Sequence, residues 1–288
     1  MAAPADEFRG APVEPRPAEE GGTARVEHAT ALLENLAFAH GATDVLRADA
    51  EPSLAVRLQR HGKARALGGK ELTHAAGAGQ GMRILDISPV VSESIGVWPG
   101  DVKYRARKSL EIEKGANIDL GSIETTYHVG AHVDAPLHYA KKGKDAAAMP
   151  LSTFYGPCQV VRVEVARGER IRPKHVAEQI TAPRVLFHTG TFPNPDQWNN
   201  DFAALSAELV DWLAAQKVVL VGIDTPSIDL FDDKVLESHQ ACGRHGMANL
   251  EGIALDEVKT GLYILAAFPL RLAGADASPV RAVLVQDS

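Results

Sequence analysis

Four side chains able to bind a metal ion lie within eleven residues of this sequence, and their spacing restricts how the segment can fold. They are His128, His132, Asp134 and His138. In a regular helix, at about 100° per residue, the third would point away from the first two, and Pro136 would break the helix. In a straight strand, at about 3.3 Å per residue, His128 and His132 would stand about 13 Å apart, too far to share an ion whose ligands lie about 2 Å from it. The chain must therefore bend, and Gly130 is where a bend costs least.

A metal site is one interpretation of this segment, and ordinary buried histidines are the alternative. A lone histidine is more often held by a hydrogen bond in the core than bound to a metal. Four metal-binding groups around one glycine reverse that expectation. Two histidines with a carboxylate suit Zn²⁺ or another borderline divalent cation, and the spacing alone does not name the metal.

A second group of polar side chains follows the apolar segment Val218–Ile223, where ligand-binding loops are common in α/β folds. The candidate ligands there are Glu237, His239, Cys242, His245 and Glu251. Each of them alone is more typical of a surface residue, and a cysteine of this kind is more typical of a small buried hydrophobe. The residues by themselves leave the choice among them open.

Composition changes near residue 82 and divides the chain into two parts. Residues 1–81 hold two of the sixteen aromatic residues and nineteen alanines, so this part can bury little apolar surface. We expect an Ala-, Pro-, Glu- and Arg-rich extension that is disordered or loosely helical. Residues 82–288 have the composition of a single compact α/β domain.

Seven segments of the second part have the residue types of strands. They are Arg83–Ile87, Ser122–His128, Gln159–Val165, Arg184–His188, Lys217–Ile223, Gly261–Phe268 and Val280–Val285. Ser206–Gln216 is expected to be a helix, because a serine cap precedes apolar residues at helical spacing. Pro173–Ile180 is expected to be another, because its proline suits a first helical turn.

Charge and cysteine content exclude several classes of function. With 30 Lys and Arg against 37 Asp and Glu the net charge is −7, which argues against binding to nucleic acid or to an anionic membrane surface. Two cysteines are too few for a disulfide scaffold and fit a reducing compartment. No uncharged apolar run reaches the length of about 18 residues that a membrane span needs. We therefore expect a cytoplasmic protein.

The histidine segment, His-Val-Gly-Ala-His-Val-Asp-Ala-Pro-Leu-His, resembles the H-x-G-(T/A)-H-x-D-x-P-x-H signature of metal-dependent cyclase-like hydrolases. Within that family it is most similar to the bacterial kynurenine formamidases, or arylformamidases. Further segments agree with the family pattern over residues 82–288, namely Leu85–Pro89, Val97–Asp101, Asp224–Asp229 and Ser238–Ile253. Residues 1–81 have no counterpart in the resemblance.

The resemblance implies a role for each matched residue. It implies two divalent ions, Zn²⁺ or alternatively Mn²⁺, one held by His128, His132 and Asp134 and the other by Asp134, His239 and Glu251. It implies that His138 is the acid and base and that Trp98 lies against the substrate's ring, and it ranks His239 and Glu251 above His245 and Cys242 as ligands. It also implies a swivelling β/β/α fold and a homodimer.

Hydrolysis of N-formyl-L-kynurenine to L-kynurenine and formate is the activity that the resemblance implies, which would make the protein a metal-dependent amidohydrolase. One alternative is a hydrolase of a cyclic amide or lactone, similar to isatin hydrolase. Another is a catalytically silent metal-binding protein. A serine mechanism is disfavoured, because the sequence contains no G-x-S-x-G motif.

Overall fold

The computed structural model describes residues 81–287, so the predicted extension over residues 1–81 lies outside the described residues apart from Gly81. Within the described range the chain forms thirteen strands and two α-helices. In chain order the strands are β1 (Met82–Asp86), β2 (Arg105–Leu110), β3 (Leu120–Glu124), β4 (His132–Asp134), β5 (Tyr155–Arg162), β6 (Arg170–Ile171), β7 (Arg184–His188), β8 (Ala204–Leu205), β9 (Leu220–Ile223), β10 (Ala248–Glu251), β11 (Gly261–Ala266), β12 (Ala277–Pro279) and β13 (Val283–Asp287). The helices are α1 (Ala207–Ala215) and α2 (Glu237–His245).

Nine of the strands form one mixed sheet in the order β1-β13-β11-β5-β7-β9-β10-β4-β12. Its centre, from β5 through β7 and β9 to β10, is parallel, and every pairing on either side of that centre is antiparallel. Strands β2 and β3 form a separate antiparallel ribbon, and β6 pairs with β8. The α/β class predicted from the sequence is confirmed.

Side chains alternate along the central strands and build a core on each face of the sheet. On β7, Val185 and Phe187 pack with α1 and α2, while Leu186 between them packs on the opposite face. That opposite face collects apolar side chains from both ends of the sheet, Val133 of β4 and Leu284 of β13 among them, so the sheet is curled around it.

Helix α1 follows the expectation for Ser206–Gln216. The Ser206 hydroxyl caps it by accepting a hydrogen bond from the Leu209 N–H at 3.1 Å, and the apolar side of the helix is buried. The helix expected over Pro173–Ile180 is wrong, because only one 3-10 turn forms at Pro173–His175. The Gln159 side chain holds the chain beyond that turn, by donating to the Gln179 carbonyl and accepting from the Thr181 N–H.

Strands β4 and β10 determine the position of the candidate site. They pair antiparallel with His132 opposite Glu251 and Val133 opposite Leu250. Because alternate side chains share a face, the two apolar residues enter the core and their polar neighbours face the side on which α2 packs. No helix within residues 81–287 is long and apolar enough to cross a membrane.

Candidate metal centre

The bend that the spacing predicts lies at Gly130. This residue has φ of +58°, and a Cβ there would lie 3.2–3.4 Å from the side chains of Pro89, Val91 and Ile95. As a result the rings of His128 and His132 are 5.0 Å apart between centroids, where a straight strand would separate the two residues by about 13 Å.

A second glycine lies against this bend at the end of β10. Gly252 has φ of +66°, and a Cβ there would collide with the carbonyl group of Gly130. Its N–H donates to the Thr225 carbonyl at 2.8 Å, so the chain leaves β10 in a fixed direction. The Gly130–Gly252 contact brings the histidine bend up to Glu251, which no local sequence pattern predicts.

Two carboxylates form the middle of the site, and both are almost completely buried. Asp134 Oδ1 lies 3.0 Å from His128 Nδ1 and 3.5 Å from His132 Nε2, while its Oδ2 lies 3.0 Å from His239 Nε2. Glu251 Oε2 lies 3.2 Å from His132 Nε2, and its Oε1 lies 3.3 Å from His239 Nε2. Both oxygens of each carboxylate therefore lie close to imidazole nitrogens.

The outward-facing nitrogen of each of these imidazoles has an acceptor of its own. His132 Nδ1 donates to the Gly130 carbonyl at 3.0 Å, His239 Nδ1 to Asp229 at 2.8 Å, and His128 Nε2 to Asp276 at 3.1 Å. This arrangement leaves the inward nitrogens to face carboxylate oxygens. Histidines that bind metal are held in the same way by an acceptor on the far ring nitrogen.

The donor set fits divalent cations. His132 Nε2 and Asp134 Oδ1 are buried and lie 3.5 Å apart, and within the described residues neither atom makes a hydrogen bond of good geometry in spite of its close neighbours. A neutral imidazole lone pair and a carboxylate oxygen are both acceptors, so a cation between them, either a proton or a metal ion, is needed to make the contact favourable. Imidazole nitrogen with carboxylate oxygen is a ligand set that Zn²⁺ accepts.

The charges within the cluster also favour cations there. Burial by itself lowers the pKa of His128, but the close contact with the charged Asp134 outweighs burial and raises that pKa to about 9. The pKa of His239 is raised well above its usual value by Asp134, Asp229 and Glu251 in spite of burial. Burial would raise the pKa of Asp134, but these imidazoles hold it well below its usual value. Protons on the imidazoles thus balance the carboxylates, and divalent cations can replace those protons.

His138 lies at the edge of this cluster, on the 3-10 turn Pro136–His138. Its ring centroid is 4.4 Å from that of His128 and 5.7 Å from that of His239, and its Nδ1 lies 3.1 Å from Asp276 Oδ2. The side chain is 31% exposed, whereas that of His239 is 3% exposed. One of its nitrogens also lies within 4.8 Å of donor atoms of Asp134 and His239, so the geometry admits a ligand role beside proton transfer.

Trp98 forms part of the wall of a cavity of about 550 Å³ that opens onto the cluster. It stacks on Phe231 with ring centroids 5.0 Å apart, and the edge of Trp198 lies 5.4 Å away. The imidazoles of His128, His138 and His239 line the same cavity. A flat aromatic group bound there would therefore lie between tryptophan rings and the histidine–carboxylate cluster.

The structure separates the five downstream candidates into two groups. His239 and Glu251 lie in the cluster, as described above. Cys242 is fully buried in the core, His245 bonds to Asp211 at 2.7 Å on the surface, and Glu237 pairs with Arg170 at 3.1 Å.

Three residues that position the centre were not selected from the sequence. The Asn249 amide donates to Asp134 at 2.7 Å and to Glu251 at 3.0 Å, and Asp229 and Asp276 accept from the histidines. Strand alternation could have indicated Asn249, because it lies two residues before Glu251 on β10. Nothing near Asp276 in the sequence could have indicated that residue, since it lies 138 positions from His138.

A family model described as "Putative cyclase" matches residues 85–230 of the chain. Among solved structures, one described as a potential metal-dependent hydrolase with cyclase activity is 26% identical, with 72% of this chain and 100% of that chain covered and a TM-score of 0.62. A predicted metal-dependent hydrolase from Bacillus stearothermophilus is 25% identical, with 71% and 98% covered and a TM-score of 0.61. Isatin hydrolase A from Labrenzia aggregata, bound to benzyl benzoate, is 19% identical, with 72% and 94% covered and a TM-score of 0.62. At 19% identity, the similarity to isatin hydrolase A concerns the fold alone.

Proposed function

Since the chain belongs to the family of putative cyclases, we propose that it is a metal-dependent amidohydrolase that cleaves N-formyl-L-kynurenine to L-kynurenine and formate. One observation carries the proposal: inward-facing imidazole nitrogens and two buried carboxylates converge at the floor of a cavity with aromatic walls. The solved structures described as metal-dependent hydrolases support the same reaction class.

The ligands that we propose are divided between two ions. His128, His132 and Asp134 would hold one, and Asp134, His239 and Glu251 would hold the other, with Zn²⁺ as the metal and Mn²⁺ as the alternative. A divalent cation in such a site makes bound water acidic near neutral pH and polarises a carbonyl oxygen. The protein supplies the fixed carboxylates and the outer acceptors that keep each imidazole in place.

His138 is the group that we propose to transfer protons. Asp276 accepts a hydrogen bond from Nδ1, so Nε2 is the nitrogen left to exchange a proton at the cavity. An arylamide anion leaves poorly, and a histidine imidazole can receive a proton from water and deliver it to the departing nitrogen. Partial exposure to the cavity suits this exchange.

Trp98 would position the aromatic ring of the substrate. Its stacking on Phe231 keeps the indole in place, and an aromatic contact contributes about 0.5–1.5 kcal/mol beyond burial of area. Such a contact orients the scissile amide toward the histidine cluster without itself taking part in the chemistry.

A cyclic amide or lactone is the second candidate substrate. The flat walls formed by Trp98 and Trp198 would accept a fused bicyclic lactam as well as a substituted aniline. The fold is also shared with isatin hydrolases.

A substrate panel tests the function. We expect the protein loaded with Zn²⁺ or Mn²⁺ to hydrolyse N-formylkynurenine and formanilide, followed by absorbance, and to lose this activity on treatment with a chelator and regain it when metal is returned. Faster hydrolysis of isatin would favour the cyclic-amide alternative. Tight metal binding with no turnover of any panel member would contradict the proposal and support a silent binding protein.

We also propose a cytoplasmic location and a homodimer. Cys158 and Cys242 are both buried free thiols, and burial raises the pKa of each to about 12, which fits a protein of a reducing compartment. The exposed apolar side chains of the β2–β3 ribbon, Leu110, Leu120 and Ile123, support the homodimer.

A further inference from the structure

Acidic side chains that do not belong to the histidine cluster also line the cavity. The carboxylates of Asp101, Asp224 and Asp256 line it, and no Lys or Arg occurs among the lining residues that the structure describes. A ligand group beyond the aromatic ring would therefore meet carboxylates and no basic side chain.

A buried histidine, His188, lies near two of these carboxylates, Asp224 and Asp256, at the carboxyl ends of the parallel strands. His188 is the last residue of β7, and Asp224 directly follows β9, its parallel neighbour, while Asp256 comes from the loop after β10. His188 is 3% exposed, and its ring makes no hydrogen bond within residues 81–287. Its Nε2 lies 3.6 Å from Asp256 Oδ1 and 4.0 Å from Asp224 Oδ2. The ring thus points at two carboxylates without reaching either.

The two carboxylates differ in how firmly they are held. Asp224 accepts hydrogen bonds from the Thr189 N–H at 2.9 Å, the Thr189 hydroxyl at 2.7 Å and the Gly190 N–H at 2.7 Å, which fixes it in place. Asp256 makes no hydrogen bond in the described chain, and its side chain is 64% exposed. Asp256 therefore has carboxylate oxygens available to a ligand, and the Nε2 atom of His188, a residue that does not itself line the cavity, lies within 4.0 Å of both carboxylates.

We propose that this part of the wall binds an ammonium group on the substrate, so that the substrate class is an aryl formamide whose side chain ends in a cation. An ammonium has three N–H donors and a positive charge, and it suits a place where carboxylate oxygens and an unpartnered imidazole face one another. A ligand carboxylate at the same place would be repelled by the aspartates and would find no Lys or Arg side chain to bind it. This inference rests on the proposed formamidase function. It identifies the ammonium group, and not the carboxylate, as the group that is recognised in the amino-acid part of the substrate.

Kinetics on three formamides test the proposal with the full-length, metal-loaded protein. The substrates are formanilide, which has no side chain, an ortho-acyl formanilide ending in an ammonium, and its counterpart ending in a carboxylate. We expect kcat/KM for the ammonium substrate to exceed that for the carboxylate substrate by about tenfold or more. Asp256→Asn should lower kcat/KM for the ammonium substrate about five- to tenfold through KM, because an exposed charge pair contributes binding and no catalysis.

Glu257→Gln is the matched control, because Glu257 is the exposed neighbour of Asp256 and does not line the cavity. It should leave all three substrates unchanged, and Asp256→Asn should leave formanilide unchanged. Equal hydrolysis of the ammonium and carboxylate substrates would overturn the inference. So would an equal effect of Asp256→Asn on formanilide.

If the proposed function is wrong, formanilide will not be hydrolysed. A binding measurement then tests the inference, because Trp98 and Trp198 lie in the cavity wall and their fluorescence reports whether the cavity is occupied. The probes are 3-phenylpropylamine and 3-phenylpropanoate, which share size and ring. Tighter binding of the amine, lost in Asp256→Asn and kept in Glu257→Gln, supports the inference, and equal binding of both probes overturns it.

Discussion

At the scale of single residues, an outer acceptor orients each of the proposed histidine ligands. Asp229 accepts from His239 Nδ1 and also from the N–H groups of Ser238 and His239 at the start of α2, and Arg170 pairs with it at 2.8 Å. These contacts hold the pKa of Asp229 well below its usual value in spite of burial. A permanently charged acceptor behind the ring favours the tautomer whose Nε2 faces Asp134 and Glu251.

Replacement of His138 tests the proton-transfer role. In His138→Gln we expect kcat to fall about 10²- to 10⁴-fold while metal content stays the same, because Asp134, His239 and Glu251 remain. Turnover by absorbance and metal content by elemental analysis on the same sample measure both. His245→Gln is the control, since that imidazole bonds to Asp211 outside the centre. An unchanged rate would refute the role, and loss of one equivalent of metal would show that His138 is a ligand.

At the scale of elements, the centre depends on two turns that meet. Gly130 begins the approach to β4, and Gly252 ends β10, and the backbone at both has positive φ. Their contact allows two antiparallel strands to place His132 and Glu251 opposite each other with room for the rings of the bend.

Gly252→Ala should destabilise the protein more than an ordinary glycine replacement at positive φ. A Cβ at this position meets the Gly130 carbonyl, so we expect a loss of about 3 kcal/mol in the free energy of unfolding, together with weaker metal binding. Gly246→Ala is the matched control, with φ of +61° and nothing within 4 Å of its added Cβ, and it should cost about 1 kcal/mol. Denaturant unfolding and metal titration measure both effects, and equal losses in the two variants would contradict the argument.

Local rules in the sequence predicted part of this arrangement. The spacing of His128 and His132 required a bend and placed it at Gly130, and the strand over Arg184–His188 and the capped helix after Ser206 were predicted from residue type and periodicity. His239 and Glu251 were chosen through the family resemblance, since five polar candidates of the same segment looked alike. Asn249 and Asp276 were not predicted from the sequence. Strand register and contacts between distant parts of the chain bring them to the site, and local patterns determine neither.

At the scale of the whole molecule, the β2–β3 ribbon is the surface that we propose for the homodimer. A two-stranded ribbon is marginally stable alone, yet within the described chain its apolar residues are exposed, for example Leu110 at 41%, Leu120 at 49% and Ile123 at 68%. The ribbon also carries charges of both signs, and Arg107 and Glu124 pair with each other across it at 3.3 Å. A second copy is also the partner that the family resemblance implies.

Ile123→Glu should therefore convert a dimer into a monomer. We expect sedimentation or light scattering to give about twice the chain mass of 30.7 kDa for the unmodified protein and the single mass for the variant, since a buried charge in an apolar interface is costly. Val235→Glu, an exposed apolar residue outside the ribbon, is the control and should keep the dimer. A monomer before any substitution would contradict the proposal.

One oxygen connects two groups that otherwise have different tasks. Asp276 Oδ2 accepts from both His128 Nε2 and His138 Nδ1, each at 3.1 Å. A rotation of the His128 ring would therefore also disturb the acceptor that holds His138. If His128 binds metal and His138 carries protons, as we propose, occupancy of the centre and the orientation of the proton carrier depend on the same carboxylate oxygen.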